Sequence, residues 1–156
     1  MILRKIVSGG QTGVDRAALD IAMELGVECG GWCPRGRLAE DGEIPARYPL
    51  QETPSARYQV RTDWNIRDSD ATMILNLGEM EGGTALTQVL ARSYGSPCMV
   101  INLKLSQDLE RLADWLRKNM VSTLNIAGPR ASKRPEAYRL AAELLRRLIP
   151  LVREQA

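Results

Sequence analysis

Three short aliphatic runs, Ile2 to Val7, Ala71 to Leu77 and Val121 to Ala127, each end in a tight turn that passes directly into a helical pattern. The turns are Ser8-Gly9-Gly10, Gly78 to Gly83 and Gly128 to Arg134. After the first, Val14, Ala17, Ala18, Ile21 and Leu25 recur at helical spacing until Gly26 stops them. Thr12-Gly13-Val14-Asp15 fits a capping pattern, so Thr12 is expected to cap this helix. Strands are also expected at Val27 to Cys33 and Pro97 to Leu103. Further helices are expected at Ala56 to Arg67, at Thr84 to Tyr94, after a Ser106 cap, and at Pro135 to Ile149. Parallel strands need crossovers that pack on a sheet face, so this alternation predicts a doubly wound, largely parallel α/β sheet with helices on both faces.

Length and composition agree with that class. A chain of 156 residues fits one domain, read as 1–156. With no Phe, three Trp and four Tyr, the core must be aliphatic. The stretch from Pro34 to Pro54 has no periodicity and is expected to be a long irregular loop. Net charge is only +2, which predicts no nucleic-acid partner. No apolar run approaches the ~18 residues of a membrane span. Three cysteines without a signal peptide point to a reducing cytoplasm rather than a disulfide framework. Cys29 and Cys33 are expected to face one side of a strand as buried thiols. Histidine is absent, which excludes schemes that depend on it.

The unusual residues fall where strands end, and open parallel sheets take ligands at that edge. Ser8, Gly9, Gly10, Gln11, Thr12 and Gly13 form a turn whose backbone N–H groups and hydroxyls suit an anion. It is neither a Walker A loop nor G-x-G-x-x-G. Gly82, Gly83 and Thr84 repeat the arrangement, and Arg130 and Ser132 in the basic turn add a bidentate cation and a hydroxyl. Arg61, Asn65 and Asp68 share one stripe of a helix, and Arg35 or Arg37 is placed to reach the same ligand. Trp64 reads as a packing residue, Lys133 and Arg134 as a solvated run, and Asp68 and Asp70 as turn formers, so no dedicated metal site is expected. The site predicted is a pocket for a phosphate-bearing small molecule. The competing reading is an enzyme cleaving an N-glycosidic or phosphoester bond, with Asp15, Asp68, Asp70 or Glu81 as acid or base.

Five motifs, Ser8-Gly-Gly-Gln-Thr-Gly-Val-Asp15, Gly31-Trp-Cys-Pro-Arg35, Arg61-x-x-x-Asn65-x-x-Asp68-Ser-Asp70, Gly82-Gly-Thr84 and Ala127-Gly-Pro-Arg130-x-Ser132, resemble the molybdenum carrier family over nearly the whole chain. That family is related to molybdenum cofactor carrier proteins and to the lysine-decarboxylase-like phosphoribohydrolases. The resemblance implies a Rossmann-like fold and a molybdopterin-type ligand, the molybdenum cofactor. It also implies a homo-oligomer, with molybdoenzymes as recipients. The phosphoribohydrolases carry P-G-G-x-G-T-x-x-E; aligned on Gly83-Thr84, this chain has Thr87 where their glutamate stands. A carrier is therefore favoured over an enzyme.

Overall fold

A computed structural model describes residues 2–153. The chain runs β1 (Lys5–Val7), α1 (Val14–Glu24), β2 (Glu28–Gly30), β3 (Trp32–Cys33), β4 (Leu38–Ala39), β5 (Gly42–Glu43) and β6 (Gln51–Glu52). It continues through α2 (Tyr58–Arg67), β7 (Ala71–Asn76), α3 (Gly82–Ser93), β8 (Cys98–Asn102), α4 (Leu109–Lys118), β9 (Thr123–Ala127) and α5 (Ala137–Val152). Five strands form one parallel sheet in the order β2-β1-β9-β7-β8. All six residues of β7 are buried, as expected of a strand covered on both faces. From β1 the chain crosses through α1 toward one edge, and from β7 through α3 toward the other. Right-handed crossovers running in opposite directions put α1 and α3 on opposite faces. Helices α1 and α4 pack on α5, while α2 packs on α3.

The sheet has a second regularity. Leu3 forms a parallel bridge with Arg153, and its N–H donates to the Val152 carbonyl at 2.8 Å, which sets the two ends side by side. Counted from β7 and carried across those ends, the strands take the doubly wound order 2-1-3-4-5. The reversal of winding then falls between β7 and β9.

Several local expectations change. The strand expected at Val27 to Cys33 breaks at Gly31, whose φ of +126° turns the backbone out of the sheet. Beyond the break, residues 32–52 are an excursion rather than an irregular loop: β3 pairs with β6, and β4 pairs antiparallel with β5. Cys33, Ala39, Ile44, Tyr48 and Leu50 pack there on Leu19 of α1, in an apolar cluster separate from the main core. Helix α4 is capped by Asp108, which accepts the Arg111 N–H, and not by Ser106. Gly13 rather than Thr12 precedes α1, with no side-chain cap. Cys33 is buried and Cys29 only partly, and both thiols are free. Among the described residues, no helix is long and apolar enough to cross a membrane.

Candidate functional site

A cavity of about 390 Å³ opens at the carboxyl edge of the sheet, between the ends of β7 and β9. Its walls come from the turn after β1, from α2, from the turn after β7 with the start of α3, and from the turn after β9. This is where the winding reverses and the two following loops part, leaving a crevice.

One wall holds a buried ion pair. Asp15 is 3% exposed. Its carboxylate accepts the Gln11 N–H at 3.2 Å and lies 3.8 Å from Nη1 of Arg61. Burial pushes the carboxyl up to about 6, against the pull of Arg61 and the backbone hydrogen bonds. Arg61 donates through Nη1 to the Thr62 hydroxyl, while its buried Nε has no partner. A guanidinium carries five donors, so Arg61 keeps capacity for an oxyanion.

The opposite wall is the start of α3. Glu81 precedes this helix, and the carbonyl of Glu81 takes the N–H groups of Thr84 and Ala85. Among the described residues, the N–H groups of Gly82 and Gly83 find no acceptor, and nothing stands within 4 Å of where a Cβ would sit on either. First-turn N–H groups left open in this way are the donors a helix start offers an anion. The turn after β9 adds Arg130, Lys133 and Arg134. Arg134 is not the solvated residue expected: its Nε donates to the Leu77 carbonyl at 2.8 Å and Nη2 lies 3.8 Å from Glu81, which fixes the turn after β7. Four cations, Arg61, Arg130, Lys133 and Arg134, face three carboxylates, Asp15, Glu79 and Glu81.

Comparison with known proteins now places the chain. The model of the circularly permutated YpsA SLOG family matches residues 6–149. The chain belongs to that family. The crystal structure of a protein described as "Putative molybdenum carrier protein" from Syntrophus aciditrophicus SB is 46% identical and superposes with a TM-score of 0.89, covering 95% of each chain. No curated protein matches the chain.

Within this SLOG-family chain the residues nominated from sequence divide. Gln11, Arg61, Gly82, Gly83, Thr84 and Arg130 line the cavity. Gly9 lies directly beneath Arg61. The other positions of the first turn serve its own folding. The Ser8 hydroxyl donates to the Asp15 carbonyl, the Thr12 N–H goes to Gln11 Oε1, and the Val14 N–H goes to the Pro129 carbonyl. The Gln11 N–H goes to Asp15, while among the described residues the N–H groups of Gly10 and Gly13 find no acceptor. Gly10 packs under Leu50 and Ile44, and Gly13 abuts the Pro129 carbonyl.

Asn65 clamps Trp32, accepting its N–H at 2.8 Å and donating to its carbonyl at 2.9 Å, so both amide ends are used away from the cavity. Asp68 pairs with Arg67 and accepts the Trp32 indole N–H; it does not pair with Arg61. Asp70 accepts the N–H groups of Ser122 and Thr123. Arg35 donates to the Pro54 carbonyl at 3.4 Å, and Arg37 is spent on the carbonyls of Ile44, Pro45, Tyr48 and Leu50. Neither lines the cavity. Ser132 turns to Glu40. Trp64 packs edge-on against Trp32 at 4.8 Å. Lys133 and Arg134, expected as a solvated run, and Asp15, expected only as a catalytic alternative, all line the wall. A single carboxylate on an otherwise apolar helix face was the available signal for Asp15.

Proposed function

We propose that the chain is a carrier that holds a phosphate-bearing small molecule of the molybdenum cofactor type in this cavity. The observation that carries the reading is the pairing of open Gly82 and Gly83 N–H groups with the unspent donors of Arg61 across one crevice. The phosphate sits at the start of α3, where Lys133 and Arg130 add charge. Asp15, a buried acceptor on the far wall, takes N–H donors of the ligand's ring. The volume lies within the ~300–1,000 Å³ of small-molecule sites. A molybdopterin would bring its own dithiolene to the metal, and these residues would only bind, orient and shield it. The likeness, at 46% identity, to the protein described as "Putative molybdenum carrier protein" supports the same ligand class.

The reading has the carrier working in the cytoplasm as a homo-oligomer that passes its cargo to molybdoenzymes. Val89 of α3 and Tyr94 just after it, 62% and 46% exposed, offer apolar surface for assembly. Size-exclusion chromatography with light scattering reads the assembly state. The ligand is tested by purifying the protein without added cofactor and measuring molybdenum by mass spectrometry, together with the organic mass released on denaturation. A pterin phosphate with molybdenum, lost in Arg61→Ala, is the expected result. No phosphate-bearing compound retained or bound overturns the reading.

Asp15 favours a second reading. A buried carboxyl that holds its proton to about 6 inside a cavity is suited to acid–base work on a nucleotide N-glycosidic or phosphoester bond. Base or phosphate release from nucleoside monophosphates, abolished in Asp15→Asn, supports it. Binding without turnover favours the carrier.

A further inference from the structure

The tip of the excursion places one carboxylate in a set of donors that its own fold does not require. Glu40 receives the Ser132 N–H at 3.1 Å and the hydroxyls of Ser132 and Thr12, and its Oε2 lies 3.8 Å from Nε of Arg130. These donors come from two turns, after β1 and after β9, that adjoin the cavity wall. Arg130 is shared with the cavity, and Gln11, also in the cavity wall, accepts the Glu40 backbone N–H at 2.9 Å. Burial pushes the Glu40 carboxyl up, but the hydrogen bonds from Ser132 and Thr12 and the charge of Arg130 outweigh it and leave it below the ordinary range. Two hydroxyls, a backbone N–H and a guanidinium converging on one anion form a receptor for an oxyanion, whichever molecule supplies it.

The excursion does not depend on this contact to stay in place. Next to it, Asp41 binds Arg16 through two bonds of 2.6 and 2.8 Å, and Arg16 also donates to the Gly10 carbonyl. Arg37 ties the rest of the excursion together through four carbonyls. The Glu40 side chain is thus free to rotate outward while β4 and β5 keep their position.

We propose that Thr12, Ser132 and Arg130 form a second oxyanion subsite beside the main cavity, which Glu40 occupies until the second acidic group of a diphosphate-type ligand displaces it. The proposal rests on the reading that the cavity takes a phosphate, and adds that it prefers ligands with two linked acidic groups. A monophosphate fills only the α3 end; a diphosphate must expel Glu40, which holds its affinity down in the native chain.

Isothermal titration of orthophosphate and pyrophosphate into the full chain, Glu40→Ala and Glu40→Gln tests this. Glu40→Ala should bind pyrophosphate about tenfold tighter while orthophosphate changes little, with Glu40→Gln showing the same pattern at smaller size. Adding Thr12→Ala and Ser132→Ala to Glu40→Ala should remove the gain. Unchanged pyrophosphate affinity in both Glu40 variants, with orthophosphate still bound by the native chain, overturns the subsite and leaves the cavity reading standing. Equal tightening for both anions also overturns it, since it shows only the removal of a negative charge. Failure of every variant to bind either anion overturns both. Should Glu40→Ala not fold, Glu40→Gln carries the same test.

Discussion

Arg61 lies across Gly9: a Cβ on that glycine would stand 2.5 Å from Nη1 and 2.7 Å from Cζ of the guanidinium. The first glycine turn thus contributes to the cavity by leaving room at Gly9 for an arginine from α2. Gly9→Ala should push Arg61 off the cavity wall and away from Asp15. The expected result is phosphate binding weakened about tenfold, as for loss of a charge-assisted hydrogen bond, with circular dichroism unchanged. Titration of orthophosphate measures it, and native affinity in Gly9→Ala would refute the relationship.

Asp15 makes stability depend on pH. Its carboxyl titrates near 6 in the folded protein against the ordinary 3.8, so between those values the folded state binds the proton more tightly than the unfolded chain. This contribution is fully present below the lower value and is lost as pH rises through about 6. Its size is about 3 kcal/mol. Urea unfolding at several pH values across that window should show the native chain losing stability relative to Asp15→Asn. Parallel profiles for the two would contradict the assignment.

Asn65 holds Trp32 by both backbone groups, at 2.8 and 2.9 Å. Asn65→Ala leaves two partly buried polar groups without partners and should cost about 2 kcal/mol. Because Asn65 faces away from the cavity, phosphate affinity should stay at the native level. Chemical denaturation and titration of the same variant separate the two effects, and a loss of affinity at native stability would reverse this placement.

The adjoining ends allow a permuted chain. Joining residues 2 and 153 through a short linker and reopening between Ala56 and Arg57, where both residues are exposed, should yield the order 2-1-3-4-5 read directly along the sequence. Loop-closure costs are small, so stability should remain within about 2 kcal/mol of the parent. An unfolded permutant would show that the ends do more than meet.

The sheet was legible because β1, β7, β8 and β9 are written as local aliphatic runs, and α1 and α5 as helical spacing. The excursion was not, since its pairings are two residues long and its organiser, Arg37, bonds four carbonyls rather than a ligand. Thr12 was misread as a cap for a related reason. Its hydroxyl bonds Glu40 and accepts the Ala131 N–H at 3.1 Å, partners far along the chain that no local pattern announces. Of the site, the glycines and Arg61 stood out by residue type. Asp15 did not, because its significance comes from burial, and burial depends on packing between elements.

Helix α1 stands between two apolar clusters, with Val14, Ala17, Ala18, Ile21 and Ala22 on the larger and Leu19 on the smaller. Among the described residues the larger joins twenty-seven buried side chains and the smaller six. Two unequal clusters hinged on one helix give the polypeptide two melting units of different cost. The small one can come apart on heating while the sheet keeps its shape, so the excursion can loosen without the strands that carry the cavity.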